Sequence, residues 1–187
     1  IDIVKAQIKI AEGEEIGKHT ALPNQNNVRL DGFAIQCRVT TEDPQNNFMP
    51  DYGKIITYRS ASGFGVRLDG ATAAAGSIIT PYYDSLLVKV TTRAQSQEDC
   101  IKRMDRALRE FRIRGVKTNL VFLESLINNI HFKEGNYNTN FVDNNKDLYN
   151  FKSKKDRASK IISYLGNMIV NGHPDMLNRN NNIFLVE

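Results

Sequence analysis

Few side chains in this 187-residue sequence are arranged to do chemistry, and the best placed is Arg38. Residues 33–40, FAIQCRVT, alternate: Phe33, Ile35, Cys37 and Val39 fall on one face of an extended strand, and Ala34, Gln36, Arg38 and Thr40 on the other. A guanidinium on that polar face is a permanent cation with a planar fork of donors, suited to steadying an oxyanion that forms during a reaction. Taken alone, such an arginine is an ordinary surface residue. The other candidates offer less. Cys37 and Cys100 sit far apart in sequence, one on the strand's apolar face and one in a helical pattern, and read as reduced core thiols. Three histidines without a Cys/His cluster give no zinc-ligand spacing, and there is no GxxxxGK phosphate loop or metal-ligating pair.

Composition narrows the partners. The chain is 41% hydrophobic, enough for one domain with a real core and an appendage. A formal charge of +4 invites a nucleic-acid reading, but Lys and Arg (25) are nearly balanced by Asp and Glu (21). A nucleic-acid-binding module needs clustered cations with exposed aromatics on one face. The one arginine-rich run, Arg103, Arg106, Arg109, Arg112 and Arg114, is broken by acidic neighbours. No apolar run approaches the ~18 residues of a membrane span, and no signal-peptide pattern opens the chain, so a soluble protein of a reducing compartment is expected.

The elements that must hold Arg38 can be read in order. Asp2 caps a short helix that Gly13 ends, and a polar connector covers residues 14–29. The strand at 33–40 stops at Thr41-Glu42-Asp43-Pro44, since proline disfavours helix before it and has no donor. Residues 54–59, KIITYR, have the β-branched content of a strand returning beside the first. Gly63-Phe64-Gly65 bends the chain before a strand at 66–68, and two more strands are expected at 77–80 and 86–92. Short connections make the sheet antiparallel. Ser96 and Asp99 open a helix with Cys100, Ile101, Met104, Ala107, Leu108 and Phe111 as its apolar stripe and Asp99–Arg103 and Asp105–Arg109 as ion pairs. Residues 113–116 read as a helix exit, and Thr118 as the cap of a further helix burying Leu120, Leu123, Leu126 and Ile127. Residues 131–150 read as Asn-rich loop with a short helix. A last helix is expected from 156 to 165, stopped by Gly166-Asn167, with Met168-Ile169-Val170 as a strand and a polar linker after Pro174. The fold class is therefore α+β, mainly antiparallel sheet packed with α-helices.

The strings AIQCRVTTEDP, FMPDYGKI, GFGVRLD, PYYDSLLVKV and REFRIRGVKTN, in that order, resemble the carboxyl-terminal part of the biotin carboxylase component of pyruvate carboxylases. The resemblance runs over residues 1–175 or so, nearly the whole chain. It implies three parts: residues 1–30 as the exit from an ATP-grasp region and a connector, 31–150 as the biotin carboxylase C-terminal domain, and 151–187 as the start of an allosteric linker. It further implies that this is a fragment whose ATP, magnesium and bicarbonate ligands precede Ile1, and which is inactive alone.

The same resemblance assigns roles. Arg38 would be the catalytic cation that stabilises the enolate-like charge on the ureido oxygen of biotin. Phe141, in Thr139-Asn140-Phe141, would wall the adenine pocket of ATP, although a loop aromatic packing on its own domain explains it equally well. Phe64, Arg67 and Asp84 match residues of the family's dimer face, against ordinary turn and strand support. Arg157, in KKDRASKIISYLGNMIVNGH, matches a linker arginine near the regulator acetyl-CoA, and a basic helix start is otherwise simply solvated. Implied partners are the ATP-grasp part of the same chain, a biotin carboxyl carrier domain and further copies in a homo-oligomer. The cofactors are biotin, ATP and magnesium, and the compartment is cytoplasm or mitochondrial matrix. An acyl-CoA carboxylase subunit is the nearest alternative, disfavoured by FMPDYGKI and by the extension at 154–173.

Overall fold

In the computed structural model, which describes residues 1–70, 73–151 and 157–172 and only the backbone of Arg157, Asp2 caps helix α1 (Ile3–Ala11) by accepting from the Lys5 N–H at 3.0 Å. A connector with a 3-10 turn at Gln25–Asn27 leads to β1 (Phe33–Thr40). Gly32 permits the entry: its φ is +74°, and a Cβ there would lie 2.4 Å from the Ala94 carbonyl oxygen. Then follow β2 (Glu42–Asp43), β3 (Met49–Pro50), β4 (Gly53–Lys54), β5 (Thr57–Arg59), β6 (Val66–Gly70), β7 (Ile78–Ile79) and β8 (Leu86–Ala94). Helix α2 (Gln97–Glu110), β9 (Arg112–Arg114), α3 (Leu120–Asn128), α4 (Ile130–Lys133) and α5 (Phe141–Asn144) complete the unit Ile1–Tyr149.

The principal sheet is antiparallel with order β1-β8-β6, so β1 is an edge. Its apolar side is covered by α2, and Val39, Val88, Val90, Cys100, Met104, Ala107 and Leu108 are fully buried there. Alternation alone places Cys37 among them, and burial pushes its thiol up to about 12. Both cysteines are free and buried, as their spacing suggests.

Pairing departs from the sequence reading at β4 and β5. Residues 54–59 do not return beside β1. Gly53 and Lys54 pair with β7, and Thr57–Arg59 pairs with β9, with Tyr58 opposite Ile113. The nine-residue β8 offers β1 a full-length ladder that three residues of β5 cannot match. Residues 112–114 are accordingly a strand rather than a simple exit, because buried Phe111 leaves α2 with extended backbone angles. On α2, Asp105–Arg109 pairs at 2.7 Å as expected. Asp99–Arg103 does not, since Arg103 donates to the Arg93 carbonyl; Glu98–Lys102 (2.7 Å) and Arg106–Glu110 (2.9 Å) form instead.

In the unit Asn150–Glu187, α6 runs from Arg157 to Asn171. The strand expected at Met168-Ile169-Val170 is therefore helix. One interior glycine costs only about 1 kcal/mol, and the apolar series 161, 165, 168 continues past Gly166 at helical spacing. The linker expected after Pro174 lies outside the described residues.

The segment between β1 and β4 is held by a clamp. Asp43 accepts from Lys117 Nζ at 2.5 Å and from the Gln45 N–H at 3.1 Å, and Asp51 accepts from the Lys117 N–H at 2.6 Å. The adjacent Asn47 and Phe48 have positive φ (49° and 55°), a strained pair. The Phe48 ring meets Phe122 edge-on at 4.9 Å and Tyr149 at 6.0 Å. The hydrogen bond from Lys117 holds the Asp43 carboxyl below its ordinary 3.8, burial opposes, and the Gln45 N–H adds to the lowering. The same bond raises Lys117 above 10.5. Asp43, depressed in the folded state, contributes stability above 3.8 that is lost as pH falls through its folded value. Lys117, raised, contributes below 10.5 what is lost as pH rises through its folded value.

Lys117→Met should therefore lower the urea midpoint near neutrality, and its deficit against the parent should close as pH drops below the ordinary carboxylate range. A deficit that stays constant with pH would mean the pair is not the cause. Ile127, fully buried on α3, sets a packing test: Ile127→Ala should cost about 2–5 kcal/mol in urea unfolding with the m value unchanged.

Candidate functional site

The polar side of the β1-β8-β6 sheet carries two cross-strand rungs. In one, Arg38 faces Lys89 and Lys89 faces Asp69; in the other, Gln36 faces Thr91 and Thr91 faces Arg67. Most polar groups here are satisfied. Gln36 Nε2 donates to Thr91 Oγ1 at 3.0 Å. Arg67 donates twice to Asp69 Oδ1, at 2.9 and 2.8 Å, and Arg93 pairs with Asp31 at 2.5 Å. Arg38 and Lys89 are the exceptions. Arg38 is exposed, Lys89 is half-buried, and neither side chain has a hydrogen bond or ion pair to a described residue.

Two cations directly across an antiparallel pair repel each other. Such a face attracts an anion, and a planar guanidinium offers it paired donors. This is the chemistry that the sequence placed on Arg38. Lys89 was legible only as a polar step in the alternation of β8, because its register against Arg38 is a tertiary fact.

The backbone that carries Arg38 is fixed at its free edge. Asn119, buried at the start of α3, donates from Nδ2 to the Arg38 carbonyl at 3.0 Å and accepts on Oδ1 from the Thr40 N–H at 3.0 Å. Its own N–H donates to the Thr40 carbonyl at 3.2 Å. Asn119, not Thr118, is the N-cap of α3, and its side chain makes no cap hydrogen bond. The capping preference of asparagine over threonine favours Asn119 as the cap, but nothing in the sequence marks its bonds to the strand. On the other side, Ser85 Oγ donates to Glu42 at 2.7 Å, Thr40 Oγ1 donates to the same carboxylate at 3.0 Å, and the Thr41 N–H donates to the Ser85 carbonyl at 2.9 Å.

The remaining predicted residues do not gather around Arg38. Phe141 is buried at the start of α5, its ring 6.2 Å from Tyr137, which in turn stacks on Phe132 at 4.8 Å. With Tyr137 and several asparagines it lines an open cavity of about 380 Å³. Phe64 is 94% exposed beside a cavity of about 250 Å³ that also meets Arg93 and Arg103. Asp84 lines a different cavity of about 390 Å³, with Tyr83 and Ile79. Arg67 is engaged by its own Asp69. Arg157 opens α6, and its side chain lies outside the described residues.

Among the described residues there is no group of three or more His, Cys, Asp or Glu that could hold a metal ion. An anionic ligand fits the Arg38–Lys89 face. On α2, Arg106 and Arg109 pair with Glu110 and Asp105, and Arg103 donates to the Arg93 carbonyl, so acidic neighbours offset part of the arginine run. No described helix is long and apolar enough to cross a membrane.

Residues 36–144 match the family model for the biotin carboxylase C-terminal domain. The chain is 51% identical over 175 residues to the pyruvate carboxylase of Bacillus subtilis, covering 93% of this chain and 15% of that protein. It is 47% identical over 176 residues to human mitochondrial pyruvate carboxylase, covering 92% and 14%. Among solved structures, Rhizobium etli pyruvate carboxylase T882A with the allosteric activator acetyl coenzyme-A superposes with a TM-score of 0.74 at 57% identity, over 96% of this chain and 17% of that one. The biotin carboxylase domain of Hydrogenobacter thermophilus 2-oxoglutarate carboxylase gives 0.69 at 35% identity, over 82% and 32%. The chain thus spans about 15% of the length of the curated relatives it matches. With its antiparallel sheet and covering helix, and with residues 36–144 matching the family model, this chain belongs to the biotin carboxylase C-terminal domain family.

Proposed function

We propose that this chain supplies the arginine-bearing wall of the biotin carboxylation site in a longer biotin-dependent carboxylase, with pyruvate as the final acceptor. One observation carries the reading: Arg38 stands exposed, without a hydrogen bond or ion pair to any described residue, on a sheet face where its polar neighbours, apart from Lys89, have found partners. Biotin, brought by a carrier domain, supplies a ureido nitrogen whose deprotonation places negative charge on the ureido oxygen. Arg38 donates N–H groups to that oxygen and keeps its own proton throughout. Lys89 adds positive potential beside it without needing direct contact. Asp69, at the far end of the Arg38–Lys89 rung, is engaged by Arg67, and Gln36 in the next rung is engaged by Thr91.

ATP and magnesium belong to the same reading, held by an ATP-grasp part of the longer chain. Phe141 is proposed as backing for the adenine pocket, buried as it is behind an open cavity. Phe64, Arg67 and Asp84 are proposed as dimer-face residues, which the exposure of Phe64 supports. A role for Arg157 toward acetyl-CoA rests on its sequence position alone. Identities of 47–57% over nearly the whole chain to the pyruvate carboxylases of Homo sapiens, Bacillus subtilis and Rhizobium etli support pyruvate as acceptor. Cytoplasm or mitochondrial matrix is the compartment that fits such relatives.

In the full-length carboxylase, Arg38→Lys should lower biotin-dependent ATP cleavage about 10²- to 10³-fold, because a point charge replaces a planar fork and the loss is roughly 2.7–4 kcal/mol of barrier. Near-parental turnover would refute the assignment. The 187-residue chain by itself should show no bicarbonate- and biotin-dependent ATP cleavage, and measurable turnover from it would place a nucleotide site within these residues.

A further inference from the structure

Edge strands expose a row of unpaired backbone groups, and β1 exposes its row where Arg38 is attached. The register between β1 and β8 also slips there: Val39 faces Val88 but Thr40 faces Leu86, leaving Leu87 without a partner. A slip of this kind loosens the ladder and re-aims the adjoining side chains. At this point Asn119 takes the place of a neighbouring strand. Its carboxamide copies a backbone amide, with Nδ2 on the Arg38 carbonyl and Oδ1 on the Thr40 N–H, both at 3.0 Å, while its main-chain N–H closes on the Thr40 carbonyl. The Arg38 carbonyl belongs to the peptide after Arg38, and the Thr40 N–H to the peptide after Val39. Two consecutive peptide planes, those on either side of Val39, are thus held, and the first of them is the plane that leaves Arg38, so one of the two planes that set the direction of the Arg38 side chain is fixed.

The choice of bonds is itself informative. Asn119 is the N-cap residue of α3, where an asparagine ordinarily spends its side-chain oxygen on the helix. Here the helix goes without, and the whole carboxamide is committed to the strand. Asn119 is buried, so water does not substitute for it.

Resting on the reading of Arg38 as the catalytic cation, we propose that Asn119 is the positioning residue for it: the amide clamp at the slipped edge of β1 sets the direction of the guanidinium. Asn119 touches neither substrate nor nucleotide and acts through the strand alone.

The test is a double-mutant cycle in the full-length carboxylase, with free biotin as acceptor. Asn119→Asp keeps the size and the acceptor for Thr40 but replaces the donor to the Arg38 carbonyl. It should lower kcat for biotin-dependent ATP cleavage about 10- to 100-fold, the scale of an ångström-size misplacement, with KM for ATP within about twofold of the parent. In an Arg38→Ala background the same substitution should cost less than about twofold, since there is no guanidinium left to aim. Asn119→Ala should follow the same pattern. Losses that multiply in the double variant would overturn the inference while leaving Arg38 catalytic, as would kcat and KM for ATP deteriorating together with the thermal midpoint. Parental turnover in Asn119→Asp would also overturn it. Parental turnover in Arg38→Ala alone would remove the catalytic reading itself, and the inference with it.

Discussion

Arg38 and Val39 are adjacent in sequence and opposite in environment, one in solvent and the other fully buried. That contrast exists because β1 and β8 pair in one register, and side chains along a strand alternate with a period of two. A slip of one residue would bury the guanidinium against Val90, Met104 and Leu108 and turn Val39 to water. Burying an unpaired cation costs several kcal/mol, so the apolar contacts of Val39 and Val90 enforce the position of the charge. The site depends on the core for this reason: the packing of α2 on the sheet decides which way Arg38 points.

Around that register the chain uses its polar groups unevenly. Asp43, Asp51, Lys117 and Asn119 form a short, closely bonded block between the end of β1 and the start of α3. It stabilises a turn whose Asn47 and Phe48 have positive φ, while the Phe48 ring is anchored on Phe122 and Tyr149. A few ångströms of strand away, the face of the sheet is left with two adjacent cations and no described carboxylate on either. Folding free energy alone would favour an acid there.

Much of this was legible in the residues. The alternation of 33–40, the Ser96 cap and the apolar stripe of α2 each follow from short-range rules of spacing, and all three occur as read. The free, buried state of both cysteines follows in the same way. The family resemblance, carried by strings such as CRVTTEDP and GFGVRLD, singled out Arg38 among 25 lysines and arginines, which no periodicity does. Where the reading failed, long-range competition had decided. Thr57–Arg59 looked like the partner of β1 because it came next, yet the longer ladder of β8 was available 50 residues on, and β5 was left to pair with β9. Gly166 looked like a stop, but one glycine is too small a penalty against a continuing apolar series.

The sequence by itself determined which faces are apolar, that the sheet is antiparallel, and that a guanidinium lies on its polar side, because those follow from residue type and a period of two or 3.6. Tertiary structure alone decided that Lys89 faces Arg38 and that Asn119 forgoes its helix to hold the edge of β1. These are pairings between residues up to 81 positions apart. Their energies become favourable only once the core has closed and the loop-closure entropy between them is already lost.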